Sequence, residues 1–174
     1  MKKSFKAVLV LAFVAMTTLA YAGGQHEIPA DNSSAALNRM KELKGKWTST
    51  TSMFGKKNQK IYTEYSVVAG GSAVLERFMP GTPQEMVTMY YDNKGKLAMT
   101  HYCLMRNRPI LKLAKETKDS LTFELVKVEE LKSKKEPHMG DVTLTFKDKN
   151  HFSTSCSGKK EKQPPMTMEF ARVK

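Results

Sequence analysis

The sequence is short of most features that would name a chemistry. It has two cysteines, Cys103 and Cys156, in 174 residues, which excludes a disulfide-dense miniprotein. Acids are scarce, at 17 Asp+Glu against 29 Lys+Arg, and no two of them form a catalytic couple. Glu64 and Glu76 alone stand well inside strand-like runs, where they can face water or pair with Lys60 and Arg77. There is no Gly-rich phosphate loop, no clustered metal-ligand spacing and no Ser–His–Asp set. No internal repeat or low-complexity tract is present, and the 40% apolar and 26% charged fractions are those of an ordinary folded domain. These absences argue against an enzyme and predict no cofactor.

Long apolar runs are equally rare, and the single one is N-terminal. Residues 1–6 carry three lysines, residues 7–20 are apolar except for Thr17 and Thr18, and Ala20-Tyr21-Ala22 offers small residues at a cleavage site. That order is the secretory pattern, and the run is shorter than the roughly 20 residues a bilayer span needs. The sequence therefore predicts a signal peptide over 1–22 and a periplasmic or secreted chain. Cleavage there leaves 152 residues, and the loss of three lysines takes the formal charge from +12 to +9. The lysines are scattered over loops and alternating positions, which reads as a solvated outer face. It suggests weak contact with anionic surfaces and no nucleic-acid partner.

Residues 23–33 read as a lead-in, and 34–174 as one domain. Ser33-Ser34 caps a short helix over 34–44, with Leu37, Met40 and Leu43 on one face. Ten strand-like runs follow, at about 46–53, 59–68, 72–79, 85–92, 96–105, 109–116, 120–128, 140–148, 150–157 and 165–173. Turn residues separate them, among them Gly70-Gly71, Pro80-Gly81, Asn93-Lys94-Gly95 and Asp148-Lys149-Asn150. Alternation is clearest at Leu121/Phe123/Leu125, Val142/Leu144/Phe146 and Met166/Met168/Phe170. Short links force sequential pairing, and a ten-strand meander curls until its edges meet. The expected fold is all-β: an up-and-down antiparallel β-barrel with the helix as a lid.

Gly45-Lys46-Trp47, opening the first strand after the helix, resembles the Gly-x-Trp start of lipocalin-type barrels. The block Met86-Val87-Thr88-Met89-Tyr90-Tyr91-Asp92, then Leu97-Ala98-Met99-Thr100-His101-Tyr102-Cys103 and Asn107-Arg108-Pro109, is similar to a strand–turn–strand segment of uncharacterised exported bacterial proteins of the lipocalin-like (calycin) class. The resemblance implies the barrel and an internal cavity. It carries over no activity.

Ligand-binding candidates come from the strand faces. His101 and Cys103 share one face of the fifth strand, but both faces there are mixed and alternation does not decide which is inside. An inward His101 suits a polar hook for a ligand, or a haem or metal ligand in an alternative reading; a hydrogen-bonded structural histidine explains it as well. Cys103 and Cys156 fall on the fifth and ninth strands, far apart around a wall, which argues against a bond between them. Twelve methionines offer a soft, adaptable interior or plain core filling. Arg77 lines up with Leu75 and Met79, and Arg172 with Met168 and Phe170; an inward arginine would meet a ligand's anion. The expected lining is Trp47, Tyr65, Met89, His101, Cys103, Phe123, Met168 and Phe170, with Arg172 as the anion partner. The function expected is the binding of a small, mostly apolar molecule. The competing expectation is a solidly packed barrel serving as a structural or protein-interaction module.

Overall fold

A computed structural model describes residues 29–133, 135–158 and 165–174; the export pattern at 1–22 and the first part of the lead-in lie outside them. A short helix, α1 (Ala35–Lys41), precedes ten strands. These are β1 (Gly45–Thr51), β2 (Gln59–Val68), β3 (Ala73–Phe78), β4 (Met86–Asn93), β5 (Lys96–Tyr102), β6 (Arg108–Glu116), β7 (Ser120–Glu129), β8 (Met139–Asp148), β9 (His151–Gly158) and β10 (Met166–Arg172). Each strand pairs antiparallel with its sequence neighbour, and β10 returns to β1 through Trp47↔Arg172 and Thr48↔Ala171. The result is a closed ten-stranded up-and-down barrel, as the short turns require. The β4–β5 turn shows the local logic: Lys94 and Gly95 both take positive φ, 53° and 76°, the twist a two-residue hairpin needs.

Helix α1 closes one end. The Ser34 hydroxyl accepts from the Leu37 N–H at 3.1 Å, capping the helix, while Ser34 donates from its own N–H and hydroxyl to Asp92, each at 2.7 Å. The cap thus also ties the helix to the end of β4. Ala36, Leu37 and Met40 face inward, and Leu43 completes the plug. Beneath it, Trp47 donates from its indole N–H to the Leu43 carbonyl at 2.7 Å. Phe152 meets the Trp47 ring edge-on at 4.7 Å and stacks on Phe170 at 4.7 Å, with Tyr65 at 5.9 Å. Together with Leu97, Leu111, Leu121 and Leu144, these rings fill the lid half of the barrel.

Arg172 belongs to this closed end and not to a ligand site. Its guanidinium lies 4.1 Å from the Trp47 ring centre and donates to the carbonyls of Glu42 (3.0 Å), Lys44 (2.7 Å) and Lys149 (3.0 Å). All its directed bonding is to backbone, so the expected anion partner is a clamp that joins the turn after α1 to the β8–β9 turn. Gly45 makes room for it: at φ 125°, a Cβ there would stand 3.0 Å from the arginine Nη1. Replacing Arg172 with Met should lower stability by about 2 kcal/mol in urea unfolding, because three carbonyls lose a charged donor. Arg172→Lys should restore only part of it, since an ammonium lacks the planar fork.

Two further facings depart from the sequence reading. Met89 sits on the outer face of β4, because Met86, Thr88 and Tyr90 point inward. Arg77 also points outward, where it pairs with Glu85 at 2.6 Å.

Candidate functional site

Among the described residues the barrel is open at the end away from α1. The described loops there follow β1, β3, β5 and β7, and one layer below them a row of polar residues crosses four adjacent strands. Strand register sets the row directly: Tyr65 is paired with Glu76, Glu76 with Thr88, and Thr88 with His101. Side chains directly opposite on neighbouring strands lie about 5 Å apart and share a face. The face is the interior, since Val74 and Phe78 flank Glu76 on β3 and are both buried.

Glu76 is the centre of this row. The Tyr90 hydroxyl donates to its Oε2 at 2.8 Å, and the Thr63 hydroxyl reaches its Oε1 at 3.5 Å while donating to the Arg77 carbonyl at 3.1 Å. Burial pushes the Glu76 carboxyl above the usual carboxylate range, although the hydroxyls that bond it, Tyr90 first, oppose that rise. Tyr65 is almost completely buried, and its hydroxyl has no hydrogen-bond partner among the described residues. Burial, and then the nearby Glu76, hold both tyrosines well above the usual phenol range. His101 exchanges a 2.9 Å hydrogen bond between Nδ1 and the Thr88 hydroxyl. Burial lowers its pKa to about 4, so the imidazole is neutral at physiological pH.

Above and beside the row lies a cavity of about 90 Å³. Glu76, Thr88, Tyr90, Met99 and His101 form one side; Val142, Thr154 and Cys156 form the other; Met53, Phe78, Met86, Met139, Met166 and Met168 surround its opening. Glu76 keeps accessible area although protein surrounds it, because that area faces the cavity. The volume exceeds the roughly 10–15 Å³ that one water needs and falls below the about 300 Å³ of a drug-sized pocket. It therefore suits a molecule of a few heavy atoms, or a somewhat larger one if the flexible thioethers move aside. A wider groove of about 380 Å³, between residues 29–33 and the 69–72 turn, lies outside the barrel and is open to solvent.

Of the residues named from sequence, His101 and Met168 are on the cavity wall. Trp47, Phe123 and Phe170 point inward but fill the lid half, and Tyr65 stands at the boundary. Cys103 is past the end of β5, in a turn where its sulfur accepts from the Met105 N–H at 3.5 Å. Cys156 lines the cavity instead, and burial raises its thiol to about 11. Both cysteines are free thiols. Glu76, Thr88 and Tyr90 were not among the sequence candidates. The signal for Glu76 was a charge at the middle of the apolar alternation Val74–Glu76–Phe78, a break in binary pattern that usually marks function.

Among the described residues, no three His, Cys, Asp or Glu side chains converge as a metal-holding group. No family model matches the sequence, and no curated protein is detectably similar to it. The architecture is consistent with a calycin-like fold, and the candidate function rests on the site itself.

Proposed function

We propose that this chain is an exported, lipocalin-like binding protein that holds a small, mostly apolar molecule in the open half of its barrel. The observation that carries the reading is the cavity itself, apolar and methionine-rimmed, with a short row of hydrogen-bonding groups on one side. Binding pockets combine those two elements: apolar walls supply affinity, and a few fixed polar groups set orientation. We read the polar row as orienting a ligand: His101 is neutral and hydrogen-bonded to Thr88, and the Cys156 thiol is held protonated. The reading is accordingly one of retention without turnover.

Native mass spectrometry of the protein purified from its own host tests this. The expected spectrum shows a bound molecule of low mass that is lost on denaturation. Enlarging the cavity wall with Val142→Trp should abolish its retention while leaving the circular dichroism of the barrel unchanged. A protein that carries no small molecule, but holds a macromolecular partner through salt-sensitive contacts, would instead support the packed-module alternative.

A further inference from the structure

Given the binding reading above, on which this step rests, the interior also identifies the chemistry of the ligand's polar end. We infer that the ligand carries one cationic group, a protonated amine or a quaternary ammonium, and that Glu76 is its anchor.

The argument begins with the charges of the interior. Among the described residues, Glu76 is the single acid on the cavity wall, and no lysine or arginine lines it. Arg77, next to Glu76 in sequence, is committed to Glu85 on the outer face; Lys60 lies over the Tyr62 ring, and Arg172 donates to three backbone carbonyls at the lid. A buried carboxyl without a cationic neighbour is costly, and it persists where something else meets it. An anionic ligand would face Glu76 with no compensating charge. A cation restores the pair that the protein leaves incomplete.

The remaining contacts suit the same head. A carboxylate offers about four acceptor sites, and Glu76 receives one short bond from Tyr90 and one long one from Thr63, leaving capacity on the cavity side. The unpartnered Tyr65 hydroxyl stands opposite Glu76 in the register and can turn its oxygen to the same head. The rings of Tyr90 and Phe78 and six thioethers, which make up most of the remaining wall, are polarisable groups that accommodate alkylammonium better than a hydrogen-bonding wall would.

Binding a cation has a proton consequence. The groups facing Glu76 are Thr63 and Tyr65 on β2, Thr88 and Tyr90 on β4, His101 on β5 and Cys156 on β9. None of them changes charge between pH 5 and pH 8. His101 titrates near 4, the Cys156 thiol near 11, and both tyrosines are held higher than usual. Cation binding is therefore coupled to loss of the Glu76 proton, which burial holds more tightly than usual, so affinity for a permanently charged ligand rises with pH as Glu76 ionises.

The test is calorimetric titration with four probes of one chain length: n-butyltrimethylammonium, n-butylamine, n-butanol and butyrate. At pH 7.5 both cations should bind at least tenfold tighter than butanol, and butyrate weakest of all. Affinity for the quaternary ion should increase from pH 5 to pH 8. Glu76→Gln should remove both the preference and the pH dependence. Should that variant not fold, the ranking and pH profile of the unaltered protein decide the matter. Equal binding of alcohol and cations, or tighter binding of butyrate, would overturn the cationic head and leave the carrier standing. Absence of saturable binding by all four would count against the carrier itself.

Discussion

Phe152→Ala is expected to be the most destabilising single truncation in this protein, at about 4 kcal/mol, with a fall in Tm of roughly 10 °C. The ring is 1% exposed and touches Trp47, Tyr65 and Phe170, so its removal takes away two edge-on pairs and a stacked pair together. The hole would open beneath the lid, where rigid rings around it have little freedom to collapse. Urea unfolding should show the loss as a lower midpoint with an unchanged m-value. A loss below about 1 kcal/mol would mean that the lid half relaxes freely, contrary to its packing. Because the cavity walls lie in the other half, with only Tyr65 of the polar row touching Phe152, ligand retention by the folded fraction should survive the substitution.

Acidity should act on the two halves of the polar row in opposite directions, which gives the second large effect. His101 has its pKa lowered from 6.5 to about 4. The unfolded chain therefore binds more protons than the folded one across that window. The stability His101 contributes is present above pH 6.5 and is lost as pH falls toward 4. The full shift corresponds to about 3 kcal/mol, since the ring is buried and little screened. Glu76 is raised from 4.5, so its contribution is complete below pH 4.5 and is lost as pH rises through its folded value. The two slopes offset each other in the intact protein. In His101→Gln, which keeps an acceptor for Thr88, the acid loss should vanish. The stability difference between the two proteins should then change by about 3 kcal/mol between pH 7 and pH 4. Parallel pH profiles for the two proteins would show that His101 is solvated and that the interior row is not as buried as described.

Much of this architecture was legible because it rests on local signals. Turn residues such as Asn93-Lys94-Gly95 sit between runs with period-two alternation, and together they leave a sequential meander as the only economical pairing. A meander this long closes on itself, as β10 does on β1. Cys156 is on β9, while Cys103 has left β5 for the turn beyond it, and both are free thiols.

The interior was harder to read. Met86-Val87-Thr88-Met89-Tyr90 places apolar side chains on both faces, so alternation alone leaves Met89 undecided; pairing of Tyr90 with Val74 and Met99 settles it by burying those three together. Arg172 depends on carbonyls at positions 42, 44 and 149, which no short-range pattern connects to it. Glu76 needed the register of three strand pairs before its neighbours Tyr65, Thr88 and His101 became visible as one row. The cavity is less legible still, because a void is the difference between barrel volume and the summed volumes of inward side chains. That difference left the lid half filled and the open half hollow.

Methionine methyl NMR addresses the central claim most directly, since the methionines stand at known heights and on known faces. With ¹³C-methyl labels, titration with n-butylamine should shift Met86, Met99, Met139 and Met168 along one saturable curve, all four being cavity residues. Met40 on the lid helix and Met89 on the outer face should stay still. Shifts confined to Met89 and the exposed Met105, or no saturable shift at the four cavity positions, would contradict an interior binding site.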